Sequence, residues 1–266
     1  ISKMTNCDFY YSYNVPINRK VATIDWFHLS NVLPFTGMSN SNLPLRRKLE
    51  LWWLGILIRR GLKKPNYVSA ESNNSVKILI SLGTKRPVLS VNGADDELKY
   101  LQLKNKVSYL ENQAVIVGTY YHKNLADSYK IYKYLQSSKI DMKLIIIGSQ
   151  KEIPAYIKND LSVILKGSLH HHDVIKQLSS SKYYINTSLI ENSWNGVAEG
   201  VTFAKKSYIS SIPTHLELLK KTNVKILKNL DLSIPVICVS RSSLDTSKIK
   251  SWDKVIGDMN FKINKI

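Results

Sequence analysis

Ser188-Leu189-Ile190-Glu191-Asn192-Ser193-Trp194-Asn195-Gly196-Val197-Ala198-Glu199-Gly200 is the stretch whose reading decides the fold of this chain. It follows an apolar run, Tyr183–Thr187, and opens a helical pattern, Asn195–Ala204. Such a strand–loop–helix junction in an open parallel sheet is a ligand-binding position, because loops at the carboxyl ends of the strands face a crevice. A helix N-terminus there offers unpaired amides and a partial positive charge, which suit a diphosphate. Gly196 lets the backbone approach a ligand closely. Glu199 falls about one turn into the helix, where a carboxylate can accept from both hydroxyls of a ribose. Glu191, in the loop, can accept from sugar hydroxyls. Out of context, two carboxylates eight residues apart are ordinarily surface groups, so the flanking sequence has to decide.

Working outward, short apolar runs alternate with helical patterns, as βαβ units and a parallel sheet require. The runs are Ala114–Gly118, Lys143–Gly148, Leu161–Leu165, Tyr183–Thr187, Ser207–Ser210, Val224–Leu227 and Pro235–Val239. Leu144-Ile145-Ile146-Ile147 is apolar throughout, as a strand buried on both faces should be. The helical patterns are Asn124–Leu135, Asp173–Ser180 with Asp173 as its N-cap, Asn195–Ala204, Thr214–Lys221 and Thr246–Met259. This half reads as a doubly wound domain. In the first half, Val21–Ile24, Tyr67–Ala70 and Val88–Val91 read as strands, and Leu45–Arg60 as a helix with Leu-Trp-Trp-Leu-Gly-Ile-Leu-Ile at its centre. A buried core helix is the expectation for it. An interfacial helix, with Trp and Arg side chains at a membrane surface, is the alternative. The boundary between the halves falls at 92–112, after the turn dipeptide Asn92-Gly93.

Composition narrows the class. The chain has 266 residues, 44% hydrophobic and 22% charged, enough for a true core in one large or two modest domains. No apolar stretch is long enough for a transmembrane helix, and Ile-Ser-Lys-Met at the start carries no signal-peptide pattern. Cys7 and Cys238 are the two cysteines. They form neither a disulfide framework nor a CxxC pair, which points to a reducing cytoplasm. His170-His171-His172 reads as an exposed loop at a helix start, because three consecutive side chains do not converge on one ion. The net charge of +18 favours polyanions. The lysines are scattered, however, and no nucleic-acid motif accompanies them, so no nucleic-acid partner is expected.

Further motifs flank the first stretch in order. They are Gly167-Ser168-Leu169 before the helix at 173, Phe203-Ala204-Lys205-Lys206-Ser207-Tyr208-Ile209-Ser210-Ser211-Ile212-Pro213, Val117-Gly118-Thr119 with Lys123-Asn124, Asn92-Gly93-Ala94-Asp95, and Ser251-Trp252-Asp253. Together with the Glu-x7-Glu pair, this set resembles the family-four glycosyltransferases of the GT-B fold, from about residue 10 to the end. The resemblance implies two Rossmann-like domains facing each other across a cleft. The first, residues 1–109, is the acceptor-side domain and is incomplete. The second, residues 110–266, binds the nucleotide sugar, and its last helix returns towards the first domain.

The resemblance also implies an activity, retaining transfer of a hexosyl unit from a nucleotide-diphosphate sugar to a glycan or lipid-linked glycan. The setting would be surface polysaccharide synthesis at the inner face of the membrane, with peripheral contact to anionic lipid and no metal or other cofactor. Glu191 and Lys123 become the catalytic candidates, Glu191 at the donor sugar and Lys123 at the departing diphosphate. Glu199 takes the ribose, the amides of Asn195, Gly196 and Val197 the distal phosphate, and Leu169 the base. Gly118, Thr119 and Asn192 complete the donor side. The sequence departs from the family in several places. Asn192 stands where Gly is usual, and Thr119 where a basic residue is frequent. Thr23-Ile24-Asp25 lacks the His of the family's "T-I-H-D" run, for which His28 is the candidate substitute. The family's N-terminal glycine-rich loop is absent from this sequence. The alternative reading is a nucleotide-sugar-binding module or partner subunit without turnover.

Overall fold

A computed structural model describes residues 7–37, 43–92, 110–138, 141–219, 224–227, 230–240, 245 and 248–263. The backbone divides into two compact units, Ile1–Asn92 with Asp253–Ile266, and Gly93–Trp252. Residues 93–109, where most of the expected boundary falls, lie outside the described residues, as do Gly93-Ala94-Asp95.

The first unit carries a parallel sheet of β1 (Phe9–Tyr13), β2 (Ile24–Leu29), β3 (Tyr67–Ala70) and β4 (Val88–Leu89), in that order. Trp26, Phe27 and Leu29 are fully buried, so β2 is covered on both faces. The run Val21–Ile24, expected as a strand, is a turn that ends where β2 begins. The buried carboxylate of Asp25 accepts from the amides of Val21 and Ala22 and folds the chain there. β1 went unread in the sequence. So did α2 (Asn73–Ser81), although Ser72 caps it by accepting from the Ser75 amide at 3.1 Å.

α1 (Leu45–Gly61) follows Pro44 and buries Leu51, Gly55, Ile58 and Gly61, one stripe at helical spacing. Its glycines permit close approach. A Cβ at Gly61 would meet Pro16 at 2.8 Å, and one at Gly55 would meet Pro34 at 3.3 Å. The expectation of a buried core helix is therefore half right. Trp52 and Trp53 are 61% and 54% exposed, with Leu45 and Leu49 beside them. Among the described residues no helix is long and apolar enough to cross a membrane.

The second unit is a sheet ordered β10-β11-β9-β8-β5-β6-β7. Its strands are β5 (Leu110–Val117), β6 (Lys143–Ile147), β7 (Val163–Gly167), β8 (Ser181–Asn186), β9 (Lys206–Ser210), β10 (Val224–Leu227) and β11 (Val236–Ser240). β7, β6, β5, β8 and β9 are parallel, whereas β11 pairs antiparallel with β9 and β10 antiparallel with β11. The all-parallel expectation thus fails at this edge, where β10 and β11 follow each other without a crossover helix. The helices are α3 (Leu125–Ser137), α4 (Ala155–Lys158), α5 (His171–Ser180), α6 (Asn195–Phe203) and the short α7 (Pro213–Leu216). Asp173 lies inside the first turn of α5, and His170 occupies the N-cap, so the expected cap at 173 is displaced by three residues. The closing helix, α8 (Trp252–Ile263), starts later than the expected Thr246.

One face of this sheet presents Ala114, Ile116, Leu144, Ile146, Tyr183 and Ile185 to Leu125, Ile131 and Tyr132 of α3 and Ile157 of α4. The intervening residues Val115, Ile145 and Tyr184 are buried as well, on the other face. There Tyr184 presses on α6. A Cβ at Gly200 would come within 2.1 Å of its ring, and its hydroxyl donates to Gly196 O at 3.2 Å. Gly200→Ala is therefore expected to lower stability by about 1–3 kcal/mol, the usual cost of overpacking a tight core. Urea denaturation would show this as a lower midpoint, and an unchanged midpoint would contradict the contact.

Candidate functional site

The order β9-β8-β5-β6-β7 reverses direction between β5 and β8. Chain leaving β5 and chain leaving β8 turn to opposite sides, which opens a crevice at the carboxyl edge of the sheet. The expected donor-side residues gather there. After β5, Gly118 adopts φ +89°, and Lys123 closes a single 3-10 turn, Tyr121–Lys123. A Cβ at Gly118 would stand 3.1 Å from the Lys123 side chain, so the lysine lies across a position that only glycine leaves open. Thr119 is buried and donates to Ser149 O at 2.7 Å, tying this turn to the one after β6.

Across the crevice, Glu191 Oε1 pairs with Lys123 Nζ and accepts from Ser188 Oγ at 2.6 Å. The two loops are also stitched through the backbone, Leu189 N to His122 O at 2.8 Å. Thr187 adds a bridge, donating to Asn124 O at 2.7 Å and lying 2.7 Å from Ser128 Oγ. From the next turn, Thr214 Oγ1 donates to Glu191 O at 2.9 Å, and Ser210 Oγ donates to Ser188 O at 2.6 Å. The loop is thus held from three directions. Burial alone would raise the Glu191 carboxyl, but the Lys123 charge, its hydrogen bond and that from Ser188 outweigh it. The group is held below the usual carboxylate range.

α6 begins at Asn195, and its N-cap Trp194 makes no side-chain cap bond. The amides of Asn195, Gly196 and Val197 therefore lack the partner a capping side chain usually gives. Gly196 is exposed and has open space where a Cβ would stand. Trp194 is buried, so it packs the loop rather than presenting its ring. Glu199, one turn in, meets His171 at 2.9 Å between its Oε1 and the imidazole Nε2. His171 and His172 lie in the first turn of α5, not in the loop expected for them. Leu169 is half-buried in the segment after β7, and Asn192 half-buried beside Glu191. Among the described residues no group of three or more His, Cys, Asp or Glu has the arrangement to hold a metal ion.

His28 lies in the first unit, in a cluster of its own. It is buried near the carboxyl end of β2, with Nδ1 2.8 Å from Ser69 Oγ and Nε2 3.3 Å from Glu71 Oε1. Trp26 Nε1 donates to the same serine at 2.7 Å. Tyr13 stacks on the imidazole at 5.4 Å and donates to Glu71 at 3.0 Å. Tyr13, half-exposed, and Tyr11, whose ring lies 6.0 Å from the imidazole, are the members of the cluster that solvent reaches.

Sequence reasoning missed Ser188, His171, Thr214 and His215. The first three gain their roles only when β8, β9 and two helix starts converge, which no local spacing announces. His215 is fully buried. Its Nδ1 lies 2.9 Å from Ser210 O, and since a carbonyl only accepts, Nδ1 carries the proton. Its Nε2 has no hydrogen-bond partner among the described residues.

No family model and no curated protein matches the chain. Solved structures do. The Anabaena protein Alr3699/HepE in complex with UDP-glucose aligns with TM-score 0.52 at 14% identity, over 76% of this chain and 58% of that one. WaaG, a glycosyltransferase involved in lipopolysaccharide biosynthesis, aligns with TM-score 0.53 at 11% identity, over 73% and 57%. A point mutant of S. aureus TarM in complex with Fondaparinux, alpha-GlcNAc-glycerol and UDP aligns with TM-score 0.53 at 14% identity, over 75% and 39%. The fold is accordingly that of the GT-B glycosyltransferases, and the chain spans less than three-fifths of the length of each of these three.

Burial pushes the His215 imidazole down to about 4, against the opposing pull of Glu191. A histidine held below its ordinary 6.5 stabilises the fold above that pH. The stabilisation is lost as pH falls towards 4, because the unfolded chain takes up the proton first. Between pH 7 and 4.5 the wild type should lose roughly 2–3 kcal/mol that His215→Gln does not lose. Urea unfolding of both proteins at the two pH values measures this difference, and equal losses would contradict it.

Proposed function

We propose that this chain is a retaining glycosyltransferase of the family-four type, moving a hexosyl unit from a nucleotide-diphosphate sugar to a glycan or lipid-linked glycan. The observation that carries the reading is the meeting of Lys123, Glu191 and the side-chain-uncapped start of α6 at one crevice. A diphosphate group needs a cation and free amides, and a sugar needs a fixed carboxylate. All three meet at one crevice, between the loop after β5 and the β8–α6 junction, in a fold shared with glycosyltransferases.

In this proposal Glu199 accepts from the ribose hydroxyls, for which its bond to His171 must be shared or given up. Leu169 borders the base. The amides of Asn195, Gly196 and Val197 hold the distal phosphate. Gly118 and Thr119 shape the turn that carries Lys123, and Lys123 stabilises the departing diphosphate. Glu191 and Asn192 hold the sugar hydroxyls. The bond from the anomeric carbon to the phosphate oxygen breaks, and a bond to the acceptor oxygen forms on the same face. The departing diphosphate accepts the acceptor's proton, so the step balances without a protein base or a resident cofactor. His28, acting through Tyr13, is the proposed sugar contact of the first unit. The setting proposed is surface polysaccharide synthesis at the cytoplasmic face of a membrane, with the exposed Trp52 and Trp53 as the lipid-facing contact.

Incubation with a panel of UDP-, GDP- and ADP-sugars should reveal slow donor hydrolysis or transfer with at least one of them. Glu191→Ala and Lys123→Ala should lower kcat by 100-fold or more, in the range of lost transition-state contacts. Glu199→Ala should act mainly on KM. Nucleotide binding with no turnover for any donor and acceptor would instead mark a binding module. Unchanged rates in all three variants would remove the site.

A further inference from the structure

The first unit holds a concentration of charge that the proposed reaction does not use. Arg59 and Arg60 lie in the last turn of α1, and Lys63 just beyond it. With Ser81 and Leu82, from the end of α2, they line a cavity of about 450 Å³. α1 ends ahead of β3 and α2 ends ahead of β4, so the cavity lies at the amino-terminal edge of this parallel sheet. Tyr13, His28 and Glu71 occupy the carboxyl edge. The cavity is therefore distinct from that cluster, and it shares no residue with the Lys123–Glu191 crevice.

Its cations are unopposed among the described residues. Among the described residues no carboxylate pairs with Arg59, Arg60 or Lys63, whereas Arg46 and Arg47 at the other end of α1 are taken up by Glu50 at 3.1 and 2.8 Å. Arg59 is steadied over the Phe35 ring, 5.7 Å from its centroid. The negative end of a helix favours a nearby cation, which accounts for one such residue but not for three sharing a concavity. Three clustered positive charges match a group carrying two or three negative ones. Guanidinium groups bind phosphate oxygens two at a time, and the volume exceeds what a single carboxylate fills.

We propose that Arg59, Arg60 and Lys63 form a phosphate-binding site that takes a phosphomonoester or diphosphate group. The phosphate can be free in solution or carried on a lipid. Trp52 and Trp53 precede Arg59 and Arg60 by seven residues, two turns or roughly 10 Å along the same helix face, so a lipid-borne phosphate would find apolar surface beside it. This site does not depend on the glycosyltransferase reading.

The test is a chemical-shift titration of the whole chain with inorganic pyrophosphate, following the amides of Gly61, Lys63 and Ser81, all of which lie in the first unit and away from the Lys123–Glu191 crevice. The site predicts saturable shifts that weaken at least 10-fold in R59Q/R60Q/K63Q and are unmoved in the charge-matched K151Q/K158Q/K176Q. A K63Q single variant, expected to weaken binding about threefold or more, guards against misfolding of the triple one. In parallel, flotation with phosphatidylcholine vesicles with and without phosphatidic acid reads the lipid source. Pyrophosphate shifts without flotation assign a free phosphate ligand. Flotation that needs phosphatidic acid and is lost in R59Q/R60Q/K63Q assigns a lipid one. Non-saturating shifts together with flotation indifferent to the triple substitution would overturn the site.

Discussion

The ion pair between Lys123 and Glu191 is the interaction on which the second unit's crevice depends. A sheet whose strand order reverses must send two loops apart at the reversal. Something has to fix the distance between them if the gap is to hold a ligand of defined size. Here the loop after β5 and the loop after β8 are joined by the lysine–glutamate pair, by Leu189 N to His122 O, and by the Thr187 bridge to Asn124. The pair is partly buried, so solvent screens it less than a surface pair. Ser188 meets the same carboxylate oxygen, which adds a second partner to the buried charge. A ligand that enters with its own negative charge competes for Lys123, and one that brings hydroxyls competes for Glu191. In the proposed reading, the contact that joins the two loops is the one a nucleotide sugar has to rearrange.

Most of the second unit was legible because its code is local. Leu144-Ile145-Ile146-Ile147 has no other use than a strand covered on both faces, and β6 spans Lys143–Ile147. Asn195 opens α6 where the sequence places it. Misreadings came where a side chain overrode the pattern. Val21–Ile24 has the composition of a strand, but Asp25 draws the amides of Val21 and Ala22 onto its carboxylate and makes a turn. The direction of β11 could not be read at all, since an apolar run does not say which way its partner points. α1 misled for a different reason. Leu-Trp-Trp-Leu looks like core, yet the stripe that is buried runs through Leu51, Gly55 and Ile58, where Gly55 and Gly61 let Pro34 and Pro16 approach.

The candidate site was legible in its principal groups and not in its supports. Glu191 and Lys123 carry charge at loop ends and Glu199 one turn into a helix, which is a sequence-visible property. Ser188, Thr214 and His171 are ordinary residues whose importance is conferred by tertiary proximity. Gly200 also went unread, because its requirement comes from Tyr184 on the neighbouring strand rather than from its own φ. His28 shows the converse. It was chosen by position in the chain, and the structure places it under Tyr13, with both ring nitrogens near protein groups. Its influence on a ligand has to pass through its neighbours.

In the proposed cycle Lys123 and Glu191 hold each other until a donor separates them, the lysine going to the diphosphate and the carboxylate to the sugar. Calorimetric titration of the wild type, Lys123→Ala and Glu191→Ala, with a nucleoside diphosphate and with the matching nucleotide sugar, reads this directly. Lys123→Ala should bind both ligands more weakly. Glu191→Ala should bind the diphosphate more tightly, because its lysine is then free, and the sugar nucleotide more weakly. The same change for both ligands in Glu191→Ala, or no change in Lys123→Ala, would contradict this exchange of partners.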